Sequence, residues 1–166
     1  MSTKKYTILG VDPGYGLTGF GVIDVQGSNI DCLDYGVIKT HAGQEFSHRL
    51  EDLHNDLKKI IKKYDPDIVA IEDLFFSKNV KTAMKVGHAR GVIILTAIQA
   101  KKRIIEFTPL QVKQAITSYG KAEKAQVQQM VKVFLNLKQI PKPDDAADAL
   151  AVAICAANST KLLQLK

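Results

Sequence analysis

The sequence predicts an α/β protein built on a five-stranded mixed sheet flanked by helices, and three observations carry that reading. Two short apolar runs, Ile8-Leu9-Gly10-Val11 and Ile68-Val69-Ala70-Ile71, each end in a carboxylate, Asp12 and Glu72. Continuous apolar stretches of this length, bounded by turn residues, suit strands buried on both faces. Between them Phe46, Leu50, Leu53, Leu57, Ile60, Ile61 and Tyr64 step by three or four, the period of an amphipathic helix. A helix joining two strands of one sheet makes a right-handed crossover, so the second strand runs parallel to the first. If they are neighbours, Asp12 and Glu72 emerge at the same sheet edge, where ligands of α/β proteins sit.

Taken in order, the chain turns at Pro13-Gly14 and then spells Gly14-x-Gly16-x-x-Gly19. A dinucleotide fingerprint requires a helix next. The glycine-spaced, β-branched stretch Phe20–Val25 follows instead and reads as a strand, so the nucleotide motif is rejected. The glycines are expected to allow tight turning and close approach to a ligand phosphate or a neighbouring strand. Gly27-Ser28-Asn29 closes a hairpin into a third strand, about Ile30 to Thr40. The helix from Glu45 to Tyr64 carries its acids early and Lys58, Lys59, Lys62 and Lys63 late, as the helix dipole favours, which makes those lysines a solvated helix end. Asp65-Pro66 ends it.

A long helix, about Asn79 to Ala100, shows two apolar stripes: Val80, Met84, Gly87, Gly91, Ile94 and Ile98 on one side, and Val86, Ala89, Ile93, Ala97 and Ala100 on the other. A helix apolar on two sides needs two partners, one the sheet and the other a further layer of the monomer or a second subunit. Arg103–Phe107 forms a fifth strand. Thr108-Pro109-Leu110-Gln111 then supplies a capping box with proline at the first helical position, for a helix ending near Tyr119-Gly120. A helix from about Ala122 to Leu137 follows at once, so Lys113, Lys121 and Lys124 gather at a helix–turn–helix-like corner. Pro141-Lys142-Pro143 precedes the last helix, about Asp145 to Asn158, with Asp144 placed to cap the amides of Ala146 or Ala147.

The 166 residues are expected to form a single domain, residues 1–166, large enough to bury roughly 70% of its unfolded surface. The two cysteines, Cys32 and Cys155, match no metal or redox spacing and read as buried free thiols of a reducing cytosol. Met-Ser-Thr-Lys-Lys is no signal peptide and no apolar run has membrane-spanning length, so neither secretion nor a membrane partner is expected. A formal charge of +6 and a pI near 9.2 favour a polyanionic partner, nucleic acid first.

The acids then become the centre of the reading. Asp145 and Asp148, three apart, project from one helical face. Asp148 borders the apolar stretch Ala149–Ile154, where a bare carboxylate costs desolvation energy unless something positive meets it. Asp12, Glu72, Asp145 and Asp148 brought into one cleft would raise each other's pKa and are tolerable chiefly around hard cations. Oxygen-only donors point to Mg²⁺, with Mn²⁺ able to substitute, rather than zinc. Two such ions about 4 Å apart can activate water and hold the leaving oxygen in phosphodiester hydrolysis.

Ile8–Gly14, Ile71-Glu72-Asp73-Leu74-Phe75-Phe76, Lys85-Val86-Gly87-His88-Ala89-Arg90-Gly91 and Asp145-Ala146-Ala147-Asp148-Ala149-Leu150 together resemble the RuvC family of Holliday junction resolvases, across nearly the whole chain and in the same order. The resemblance implies an RNase H-like fold of the retroviral integrase superfamily, a homodimer, and catalytic divalent metal, two ions per site, at Asp12, Glu72, Asp145 and Asp148. It implies symmetric, paired cleavage of four-way junction DNA in recombination and repair, leaving 5′-phosphate and 3′-hydroxyl ends. It places Lys113 and Lys124 near the DNA backbone and Phe75 against bases at the junction centre, with Phe76 left to the core. Lys78, Lys85, Arg90 and Lys121 are expected as further DNA contacts. A branch-migration helicase of the RuvA and RuvB type is the implied partner, and a bacterial cytoplasm, at the nucleoid, the implied location. Where many relatives have an amide after the catalytic glutamate, this chain has Asp73, which strand alternation should turn away from the metal face. Two rivals stand beside this reading: a junction-binding protein without catalysis, and an actin-like or sugar-kinase-type phosphotransferase. The latter needs two such domains and a second phosphate loop, for which the chain has no room.

Overall fold

The computed structural model describes residues 5–73 and 80–164, with residues 161–164 described by backbone alone. Its strands are β1 (Tyr6–Asp12), β2 (Leu17–Gln26), β3 (Asn29–Lys39), β4 (Ile68–Glu72) and β5 (Arg103–Phe107). Its helices are α1 (Phe46–Tyr64), α2 (Val80–Gln99), α3 (Pro109–Thr117), α4 (Lys124–Phe134) and α5 (Asp144–Gln164). The strands form one mixed sheet in the order β3-β2-β1-β4-β5. The β1–β2 and β2–β3 pairs are antiparallel, while β1–β4 and β4–β5 are parallel. The expected meander, the α1 crossover and the adjacency of β1 and β4 are all present.

Strand alternation sorts the interior into two layers. Ile8, Ile68 and Ala70 face α3, α4 and α5. Leu9, Val11, Val69 and Ile71 face α1 and α2. Continuing the same count, Asp12 and Glu72 fall on the α5 side of the sheet, and Asp73 falls on the α2 side. The capping box at Thr108 forms as read, its side chain accepting from the Gln111 amide at 3.2 Å, and Pro109 opens α3.

The glycines of the early strands serve α5 rather than a phosphate. A Cβ on Gly10 would lie 2.1 Å from the Ala149 carbonyl oxygen, and one on Gly19 would lie 2.0 Å from that of Asp145. Gly19 is also the register partner of Asp12. These two positions seat the α5 backbone directly on the sheet, and α5 answers with its own small side chains, Ala146, Ala149 and Ala153, all buried. A helix buried on every side reads as apolar all round, as α5 does beyond its first turn.

Three boundaries differ from the sequence reading. α5 begins at Asp144, which is therefore not its cap: the Ala146 amide donates to the Pro143 carbonyl at 3.0 Å, and the Asp144 carboxylate accepts from Lys142 Nζ at 2.7 Å. α5 also runs on to Gln164 rather than stopping at Asn158. α4 ends at Phe134, three residues short of Leu137, because Asn136 adopts a left-handed backbone with φ of 48°.

Gly10→Ala tests the seat of α5. Forcing a methyl against a backbone carbonyl costs about 1–3 kcal/mol or more, so thermal unfolding should fall by several degrees. Gly43→Ala, where an added Cβ meets nothing within 4 Å, should leave the midpoint unchanged.

Candidate metal centre

Three elements converge at the C-terminal edge of the parallel strands. β1 delivers Asp12 and β4 delivers Glu72, each as its last residue, and the first two turns of α5 deliver Asp145 and Asp148. Glu72 and Asp148 line a cavity of about 200 Å³ with Lys113 of α3, Lys124 of α4, and the apolar walls Pro109, Val112, Val127 and Ala151. The four acids singled out from sequence are thus brought to one place by three separate segments.

Their electrostatics are those of like charge held out of water. Burial, then the carboxylates of Glu72, Asp148 and Asp145, push the Asp12 carboxyl up to about 8. At neutral pH it therefore keeps a proton, which it donates to Glu72. Burial and the charge of Asp148 raise Glu72 as well. Asp148 is raised by burial despite the ammonium of Lys124, whose Nζ stands 2.9 Å from Asp148 Oδ2 and 3.9 Å from Asp144 Oδ2.

Among the described residues, no three His, Cys, Asp or Glu side chains already enclose a point where a metal ion would sit. The donor chemistry nonetheless fits a hard divalent cation. The set is all carboxylate, it is partly withdrawn from solvent, and it is offset within the protein by the proton on Asp12, the ammonium of Lys124 on Asp148 and the nearby charge of Lys113. Excess buried negative charge of this kind is what a bound dication relieves.

The expected DNA contacts separate into groups. Lys113 and Lys124 line the cavity itself, and Lys121 is exposed on the corner between α3 and α4. Lys85 stands on the opposite side of the sheet, its Nζ 5.4 Å above the ring of Tyr15 and 5.7 Å from that of Phe46. Arg90 is engaged within the protein: its guanidinium bridges Glu106 and, at 3.1 Å, Asp73. Asp73 has thus turned off the metal face onto α2, as strand alternation required. Phe75, Phe76 and Lys78 lie outside the described residues.

One residue beside the site was not foreseen. Arg49 of α1 is buried, donates to Thr40 Oγ1 at 3.0 Å and to the Tyr15 carbonyl at 3.1 Å, and lies 5.1 Å from the Tyr15 ring. With Thr40 and Thr18 it braces the Pro13–Gly16 turn that follows Asp12. The signal was available: Arg49 falls on the same helical face as Leu53 and Leu57, where an exposed charge has no place. Cys32 and Cys155 are free thiols, as expected, and burial pushes both up to about 11. No helix among the described residues is long and apolar enough to cross a membrane.

Comparison with known proteins places this geometry. The family model for crossover junction endodeoxyribonuclease RuvC matches residues 8–156. The crossover junction endodeoxyribonuclease RuvC of Ruminiclostridium cellulolyticum is 57% identical over 155 residues, which cover 93% of this chain and 93% of that protein. That of Alkaliphilus oremlandii is 53% identical over 162 residues, covering 96% and 99%. Among solved structures, RuvC of Thermus thermophilus in complex with a Holliday junction substrate superposes with a TM-score of 0.90 at 33% identity, over 95% of this chain and 96% of that one. The yeast mitochondrial Holliday junction resolvase, at 14% identity and a TM-score of 0.68 over 95% of this chain and 81% of that one, shares the fold.

The state of Asp12 predicts how stability varies with pH. In the fold its carboxyl titrates at about 8, against an ordinary value of 3.8. The folded state therefore keeps a proton that the unfolded chain releases, and stability falls as pH rises between these values. In a chelating buffer, the melting temperature of Asp12→Asn should pull ahead of wild type steadily from pH 4 to pH 8. The gap should widen by more than about 5 °C, since each pH unit between the two values is worth about 1.4 kcal/mol and each kcal/mol about 2–4 °C for a domain of this size. A gap that does not change with pH would show Asp12 to be ionised throughout.

Proposed function

The chain belongs to the RuvC family of crossover junction endodeoxyribonucleases, and from that premise we propose that Asp12, Glu72, Asp145 and Asp148 form a Mg²⁺ centre, with room for two ions, that cleaves four-way junction DNA. The observation that carries the proposal is the convergence of four half-buried acids beside two lysines, an excess of negative charge that these ammonium groups and the proton on Asp12 only partly offset. Bound Mg²⁺ or Mn²⁺ would supply water activation and stabilisation of the departing 3′ oxygen.

The remaining work falls to side chains of this chain. Asp12 and Glu72, fixed at strand ends, are rigid ligands, whereas Asp145 and Asp148 ride on the first turns of α5, so their spacing is set by one helix. Lys113 and Lys124 supply positive charge where a scissile phosphate would enter. They contribute charge without base recognition, so their loss should weaken binding across sequences. Lys121 extends that basic rim along the corner, and Lys85 offers a separate basic point across the sheet edge. Phe75, three positions after Glu72 in the sequence, is proposed to stack on or wedge between bases at the junction centre. Arg90 belongs to the scaffold in this reading, since both of its acidic partners are intramolecular.

A homodimer suits the substrate, because two-fold symmetry presents two sites to symmetry-related strands. The surface that supports it is the outer stripe of α2. Val80 (69% exposed), Met84 (61%), Leu95 (54%) and Ile98 (58%) stand open to solvent, and a Cβ on Gly91 meets nothing within 4 Å. The other stripe, with Ala89, Ile93 and Ala97, is buried against the sheet layer. The expected stripe is therefore present with Leu95 in place of Ile94, which is partly buried. Coupling to a branch-migration motor of the RuvA and RuvB type, and action at the bacterial nucleoid, complete the proposal.

Asp12→Asn should keep the affinity of a synthetic four-way junction in a gel shift while nicking with Mg²⁺ drops to background; persistent nicking would remove Asp12 from the metal centre. For the assembly, Leu95→Glu or Gly91→Arg should convert the protein to a monomer by sedimentation without lowering its melting temperature at low concentration. Retained dimers would place the interface elsewhere.

A further inference from the structure

The ion pair between Lys124 and Asp148 gives Lys124 a position that DNA contact alone does not explain. Its ammonium lies 2.9 Å from Asp148 Oδ2, on one of the four acids read above as cation ligands. Its other acidic neighbour, Asp144, is 3.9 Å away and already holds Lys142 at 2.7 Å. The ammonium therefore rests chiefly on Asp148, on a carboxylate that a divalent ion would share. A dication held by the same carboxylate would repel the ammonium at short range, so loading of the centre would weaken the ion pair.

Lys124 is built to let go. It is the first residue of α4, directly after the corner between α3 and α4, and 56% of its side chain is open to solvent. A flexible, unbranched four-carbon stem can swing from one anion to another without unpacking anything. A lysine at the start of a helix also opposes the helix dipole, so it gains nothing from α4 itself and depends on outside anions for its place. Lys113 provides the contrast: it lines the same cavity and, among the described residues, makes no ion pair within 4.0 Å.

We propose that Lys124 is a latch released by the divalent cation: its ammonium holds Asp148 in the cation-free enzyme, is displaced when the ion takes that carboxylate, and becomes free to meet a DNA phosphate. The inference rests on the metal-centre reading of the four acids. Its consequence is linkage, since whatever the cation adds to junction affinity the junction adds to cation affinity by the same factor. Charge placed for catalysis is thus kept off the phosphate until the ion is present.

The test is Mn²⁺ binding to the DNA-free, full-length protein, followed by the electron spin resonance signal of free Mn²⁺ and by calorimetry. Lys124→Met should bind Mn²⁺ about fivefold tighter than wild type or more, the worth of roughly 1 kcal/mol for a partly exposed ion pair. Lys113→Met removes the same charge from the same cavity without breaking an ion pair, and should change affinity by less than about twofold. Lys124→Gln serves as a second variant and should follow Lys124→Met. Equal gains at both lysines would reduce the effect to general charge and overturn the latch. A wild-type protein that binds Mn²⁺ no better than Asp12→Asn would instead overturn the metal-centre reading itself, a result that the lysine comparison cannot mimic.

Discussion

The close seating of α5 on the sheet is the constraint from which the rest of the molecule follows. Two of the four acids are strand ends fixed by the β1–β4 pairing, and two belong to a helix that arrives more than seventy residues later. They share a site only because the α5 backbone lies within van der Waals distance of Gly10 and Gly19, where any side chain would collide with a carbonyl oxygen. Gly19 is the register partner of Asp12, so the contact that seats the helix also sets Asp145 beside that carboxyl. Alanines on α5 bury little area each, and the stabilisation comes from contact density rather than from large apolar side chains.

Once seated, the helix creates an electrostatic problem, and the protein answers it in three local ways. Asp12 retains a proton, Asp148 takes the ammonium of Lys124, and Asp73, the acid next in line after Glu72, is drawn to the opposite side by Arg90. The first two are reversible neutralisations inside the site. The third is structural: Arg90 joins α2 to the ends of β4 and β5, while the Asp73 amide donates to the Phe107 carbonyl at 2.7 Å, so the backbone after Glu72 is held on both sides. Arg49 does comparable work behind Asp12, but with neutral acceptors, holding the Tyr15 carbonyl from beneath.

Much of this was legible from residue order alone. Apolar runs ending in acids located β1 and β4, helical periodicity located the crossover, and side-chain parity foretold that Asp12 and Glu72 would face one way and Asp73 the other. What failed to show were features that depend on distant partners. The sequence reading ends the last helix at Asn158, yet α5 continues, with the Ser159 and Thr160 hydroxyls donating to the carbonyls of Cys155 and Ala156 one turn back instead of competing for the backbone as a cap. The glycine series after Asp12 matches a phosphate-binding spacing, yet Gly19 is occupied by the helix that sequence places at the far end of the chain. Arg90 and Lys124 looked alike as cations near a nucleic-acid site. Only the fold separates one that is locked between two acids from one that rests on a single replaceable partner.

α2 ties assembly to chemistry through this same arrangement. Its inner side reaches the sheet with Ala89, Ile93 and Ala97, and between that side and the open stripe stands Arg90, whose acidic partners lie directly behind Glu72. Gly91, the next residue, opens onto solvent with room for an approaching backbone. A second copy docked on the outer stripe, as proposed, would thus press on a helix whose adjacent residue braces the strand end carrying Glu72. Packed helices move as rigid units rather than bending residue by residue, so a shift of α2 imposed by its partner would be felt at Asp73 and Glu106 before anywhere else. In such a dimer the position of Glu72 would depend on contacts it does not itself make, because Arg90 carries them to Asp73 and Glu106.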